Sequence, residues 1–66
     1  MNMIPVSSSR MDRVGYENNT MYIEFKDGSV YAYENVSEYE YQDFINSPSL
    51  GSALCQFDKI HPYHRV

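Results

Sequence analysis

The chain has a single cysteine, Cys55, so no disulfide can close within it, and no Cys/His cluster is spaced for a structural metal. Tryptophan is absent, and glycine and proline number three each. No Gly/Ser tract separates two domains, and there is neither an internal repeat nor a low-complexity segment. Long apolar runs are missing as well, which excludes a membrane-spanning helix. The opening Met1-Asn2-Met3-Ile4-Pro5 lacks the basic and apolar regions of a secretion signal, so a cytoplasmic protein is expected. Cations are scarce: five Lys and Arg stand against nine Asp and Glu, a formal net charge of -4. That balance disfavours a nucleic-acid partner, whose binding rests on neutralising phosphates. Residues 1–66 are long enough for one small domain, whose core supplies only about 3–5 kcal/mol of net stability. With no disulfide or metal to staple it, a second copy of the chain is the remaining source of support, and a homodimer is expected.

Catalytic signatures are absent too. Ser7-Ser8-Ser9 has no nucleophile elbow around it, and Cys55 falls on a core helix without an activating base. His61 and His64 are separated by a proline, with no carboxylate or thiolate at a compatible spacing. The expectation is a non-catalytic protein with no cofactor and no metal, in which His61-Pro62-Tyr63-His64 belongs to a solvated, extended tail.

The local patterns predict an α+β fold. Residues 20–36 hold two β-branched and aromatic runs around Asp27-Gly28, a hairpin signal. Met11 to Tyr16 forms a shorter run, which Glu17-Asn18-Asn19 turns back beside the hairpin. Ser37-Glu38-Tyr39-Glu40 matches a capping box, with Val36 and Tyr41 placed as a hydrophobic staple. Tyr41, Phe44 and Ile45 mark the buried face of a short helix that stops before Ser47-Pro48. A second helix begins near Ser49, with Leu50, Leu54, Phe57 and Ile60 along one stripe. The predicted order is a three-stranded antiparallel β-meander followed by two short helices packed on one face, βββαα.

If Asp27 and Gly28 are the two turn residues, Phe25 faces Val30, Ile23 faces Ala32 and Met21 faces Glu34 on the helix side. The outward side then carries Tyr22 opposite Tyr33, Glu24 opposite Tyr31, and Lys26 opposite Ser29. Three tyrosines on an outward face have three readings: a sheet face covered by the N-terminal segment, a dimer interface, or a stacking surface for a ligand. A change of one residue in the turn would exchange the two faces. Charge is bipolar along the chain. Arg10 and Arg13 lie near one end and Lys59 and Arg65 near the other, while Glu17 to Asp43 is strongly acidic. If the ends meet, the four cations form one small site for a phosphate or two; otherwise they are scattered surface charge. Ser7-Ser8-Ser9-Arg10 offers several donors to one anionic group, or is a polar loop entering the first strand.

An ordered set of short motifs resembles the KTSC domain, named from its occurrence at the C-terminus of some lysyl-tRNA synthetases. The motifs are Pro5-Val6-Ser7-Ser8-Ser9, Val14-Gly15-Tyr16, the run from Tyr22 to Tyr33, Ser47-Pro48-Ser49-Leu50-Gly51 and Tyr63-His64-Arg65-Val66. The resemblance implies a stand-alone domain of bacteria and their phages without an established catalytic activity. Two departures weaken a nucleic-acid role: Ser52 to Ile60 is less basic than the family pattern, and His64-Arg65 stands where two arginines are more usual. Carried over residue by residue, the polar positions are Ser7, Ser8, Ser9, Tyr31, Tyr33, Tyr63 and Arg65. Together with Arg10 and Tyr22 from the residue reading, these form the candidate ligand site. The functional expectation is a homodimer that binds a small, anionic, nucleotide-like ligand. If phage-encoded, it would act in the host cytoplasm, sequestering a nucleotide-derived immune signal. The alternative is an RNA- or protein-interaction module associated with translation.

Overall fold

The computed structural model describes residues 1–66 as β1 (Ile4–Pro5), β2 (Met11–Glu17), β3 (Thr20–Phe25), β4 (Val30–Tyr33), α1 (Glu38–Ile45), α2 (Leu50–Ile60) and β5 (Tyr63–Arg65). One antiparallel sheet takes the strands in chain order, β1-β2-β3-β4-β5, with both helices inserted between β4 and β5. The α+β class and the meander of β2, β3 and β4 are as expected. The three-strand count is corrected to five. The residues read as an extended tail return to β4, pairing Tyr63 with Tyr33 and Arg65 with Tyr31. β1 and β5 span two and three residues, too few for an alternating pattern to show.

Turn chemistry sets the register. Asn18 and Asn19 adopt φ of 52° and 60°, the left-handed region that short amide side chains tolerate, and form the two-residue loop between β2 and β3. The next hairpin differs from expectation. The Phe25 amide donates to the Ser29 carbonyl, and the Gly28 amide donates back to the Phe25 carbonyl, so Lys26-Asp27-Gly28 is a three-residue loop. Gly28 sits at φ 92°, the left-handed position that ends such a loop. The Asp27 carboxylate accepts from both the amide and the hydroxyl of Ser29, which stabilises this geometry.

The longer loop moves β4 by one residue. Met21 pairs with Tyr33, Tyr22 with Ala32, Ile23 with Tyr31 and Glu24 with Val30. The faces assigned to β4 from a two-residue turn are therefore exchanged: Tyr31 and Tyr33 lie on the helix side, and Tyr22 on the other. Gly28→Ala meets no neighbouring atom, so its cost is purely conformational, about 1–2 kcal/mol. A urea titration should show that loss with an unchanged m-value.

The helices follow their caps. Ser37 Oγ accepts from the Glu40 amide, and Glu40 Oε1 accepts from the Ser37 amide. Val36, Tyr41 and Phe44 are buried, and α1 ends ahead of Ser47-Pro48. Ser49 caps α2, but the expected stripe is corrected at its end. Ile60 is 64% exposed, whereas His61 is only 8% exposed. One helical turn beyond Phe57, His61 continues the line of Leu50, Leu54 and Phe57, and Ile60 falls off it. The core is formed by Met11, Val14, Met21, Ile23 and Tyr33 from the sheet, with Val36, Tyr41, Phe44, Leu54 and Phe57 above them.

Candidate functional site

The face of the sheet that carries the core continues toward the β3–β4 loop as an open cleft of about 500 Å³. Its aromatic walls are Phe25, Tyr31, Tyr33 and Tyr63. Antiparallel partners share a face, so the pairing of β4 with β5 puts Tyr63 beside Tyr33 and Arg65 beside Tyr31. Tyr33 and Tyr63 stack with ring centroids 5.0 Å apart and planes 26° from parallel. Tyr31 meets Phe25 edge-on at 5.7 Å and Tyr63 at 6.2 Å. The rings lie against one another as a platform, with the 49%-exposed Tyr63 at its open side.

Charge of both signs borders this platform. Arg10 and Lys26 line the cleft, and the Arg10 guanidinium stands 5.8 Å from the centre of the Phe25 ring, a cation–π contact. Asp27 and Asp58 line it as well, and each carboxylate already accepts hydrogen bonds. The Tyr33 hydroxyl donates to Asp58 Oδ1 at 2.7 Å. Burial, and then the Asp58 carboxylate, push the Tyr33 phenol far above its usual range, so it remains a donor. The hydrogen bonds from Ser29, with a smaller contribution from the Arg65 charge, hold Asp27 below the usual carboxylate range.

The sequence-predicted residues divide accordingly. Arg10, Tyr31, Tyr33 and Tyr63 come together in the cleft, with Arg65 beside Tyr31 in the strand register. Tyr22 is half-buried on the opposite face, between Gly15 and Ala32. There the N-terminal segment covers part of the sheet: a β-carbon at Gly15 would lie 2.5 Å from Met3 Sδ and 3.2 Å from Met1 Sδ. Ser7, Ser8 and Ser9 do not line the cleft. Ser8 Oγ instead accepts from the amides of Arg10 and Met11, fixing the turn into β2. The four-cation site is corrected too. Arg13 pairs with Glu24 at 2.6 Å on the face away from the cleft, Lys59 does not line it, and its second cation is Lys26, which a two-residue turn sets opposite Ser29 on an outward face. Asp58 was also missed. Its signal was a carboxylate next to Phe57 at the border of an apolar stripe.

His61 is a buried joint, correcting the solvated-tail reading. Its Nδ1 lies 3.1 Å from the Glu34 carbonyl and its Nε2 2.9 Å from Glu40 Oε2. Both partners are acceptors, so the ring donates to both only with a proton on each nitrogen. Glu40 thereby links the start of α1 to the end of α2. The Ser37 amide first, then His61 and the Ser37 hydroxyl, hold the Glu40 carboxyl below its ordinary value of 4.5. A depressed folded-state value stabilises the fold above pH 4.5, and that contribution is lost as pH falls through the folded value. Thermal midpoints should therefore drop on acidification below that pH. Glu40→Gln, which keeps an acceptor for the Ser37 amide but cannot ionise, should show a shallower drop.

The KTSC domain family model matches residues 7–63. A crystal structure of a KTSC domain protein from Yersinia pestis superposes with a TM-score of 0.83 at 30% identity, covering 98% of this chain and 96% of that one. No curated protein matches the chain. No helix is long and apolar enough to cross a membrane.

Proposed function

This chain belongs to the KTSC domain family, and from that premise we propose that it is a non-catalytic protein binding a small, anionic, nucleotide-like ligand in the cleft between β3, β4 and β5. The observation that carries the reading is the joining of an aromatic platform to two cations, Arg10 and Lys26, within one cleft of about 500 Å³. A base needs a flat π face, which Tyr31 and Tyr63 offer. A phosphate needs charge-assisted donors, and a guanidinium supplies two in parallel. Both demands are met within the reach of one nucleotide.

Pairing between two copies along β5 fits the same reading. β5 ends the sheet with no neighbour on its outer side, and its three residues are exposed. A second copy there would bring two clefts close together. Tight binding without turnover suits a sequestering role, such as removal of a nucleotide-derived immune signal by a phage-encoded copy. Native mass spectrometry of protein taken gently from its producing cells, beside a denatured sample, tests ligand and subunit number together. A dimer carrying a nucleotide-sized adduct is expected. A bare monomer that also takes up no added nucleoside monophosphate would overturn the proposal and favour an interaction module.

A further inference from the structure

We propose that Asp58 selects the base: its carboxylate, oriented by the Tyr33 hydroxyl, reads the paired N–H donors of guanine at the α2 border of the cleft. The inference rests on the nucleotide-binding reading above. Asp58 is a lining residue of the cleft, and it comes from α2, whereas the platform comes from the sheet. The hydrogen bond from Tyr33 to Oδ1 is the only one that the protein gives this carboxylate. An ionised carboxylate accepts through about four lone pairs and donates nothing, so Oδ2 and the second lone pair of Oδ1 remain for a ligand.

The chemistry then separates the purines. Guanine presents N1–H and N2–H side by side, two donors matched to two carboxylate oxygens. Adenine presents the N6 amine beside the N1 lone pair, so one oxygen would face an acceptor. Arg10 and Lys26, which line the same cleft, take the phosphate. The amphoteric lining has a use in this arrangement: cations for one end of the ligand and an acceptor-only group for the other. Tyr33 acts as a positioning residue, since its ring is buried and its hydroxyl donates to Oδ1.

Titration calorimetry of the wild-type protein with GMP, IMP and AMP is the test, repeated with Asp58→Asn and Tyr33→Phe. GMP should bind about ten- to hundredfold more tightly than AMP, the discrimination of one bidentate base contact. IMP, which keeps N1–H and lacks N2–H, should fall between them. Asp58→Asn replaces two acceptors by one acceptor and one donor, the complement of adenine's edge, so it should reverse the preference toward AMP. Tyr33→Phe, which keeps the ring and removes the hydroxyl that orients Oδ1, should narrow the ratio of GMP to AMP affinity. Equal affinity for GMP and AMP, or a guanine preference that survives Asp58→Asn, would overturn base selection by Asp58 and leave the nucleotide site standing. Binding of none of the three would overturn both.

Discussion

Tyr33→Ala is expected to leave much of the protein unfolded at room temperature. Tyr33 is 3% exposed and belongs to the central cluster with Met21, Ile23 and Leu54. Truncating a buried aromatic to alanine costs about 3–5 kcal/mol through lost transfer energy and the cavity left behind. That is about the whole stability a core of this size supplies. Circular dichroism across a urea series should place the variant near its midpoint without denaturant. Tyr33→Phe keeps the ring and loses the bond to Asp58, a change of about 1 kcal/mol, and should fold. Tyr31→Ala should fold as well, because its half-buried ring packs at the margin of the cluster, yet it should bind a nucleotide more weakly. A stable Tyr33→Ala would mean that the two-residue turn, and not the three-residue loop, sets the register, since that turn puts Tyr33 outward beside Tyr22.

Arg10→Ala should weaken binding of a nucleoside monophosphate by about 1.5–3 kcal/mol, the range for a hydrogen bond to a charged group, which is about ten- to 150-fold in Kd. Stability should change little, since the guanidinium is exposed and its contact with the Phe25 ring is single. Arg13→Ala is the matched control. It removes the same charge from the chain, but its side chain pairs with Glu24 across the sheet from the cleft. Calorimetry should find the affinity lost in the first variant and kept in the second. Equal losses in both would mean that overall charge, and not a guanidinium in the cleft, attracts the ligand.

Much of this geometry is legible in the residues, and the missing part has a definite cause. Asn18-Asn19, the Ser37–Glu40 box and Ser49 act within a few residues of themselves, so their turns and caps can be read directly. Asp27-Gly28 announces a turn but suits both a two-residue loop and a three-residue one. The choice rests on the Asp27 bonds to Ser29 and on Gly28 at φ 92°. That single unresolved residue decided which tyrosines share a face. Tyr31, Tyr33, Tyr63 and Arg65 could be chosen from the sequence without knowing why they meet, because the meeting depends on β5 returning across the helices. Asp58 and His61 carried a readable signal: both lie on or beside the line of Leu54 and Phe57, where polar groups need partners.

The return of β5 also governs how the cleft breathes. A three-residue edge strand has few hydrogen bonds to hold it, and its pairing with β4 closes a loop containing both helices. Such segments open locally at far lower free energy than the whole fold. In each opening Tyr63 and Arg65 leave, while Phe25, Tyr31 and Arg10 stay on the meander and its entering turn. If the cleft binds a nucleotide as proposed, the competent population is the fraction of time that β5 is docked, and the apparent affinity would fall in proportion as that fraction shrinks. Amide hydrogen exchange would register this as early labelling of residues 63–66, slowed by an occupied cleft. Under the proposed function, one of the cleft's four aromatic rings is thus a door that a bound ligand would hold shut.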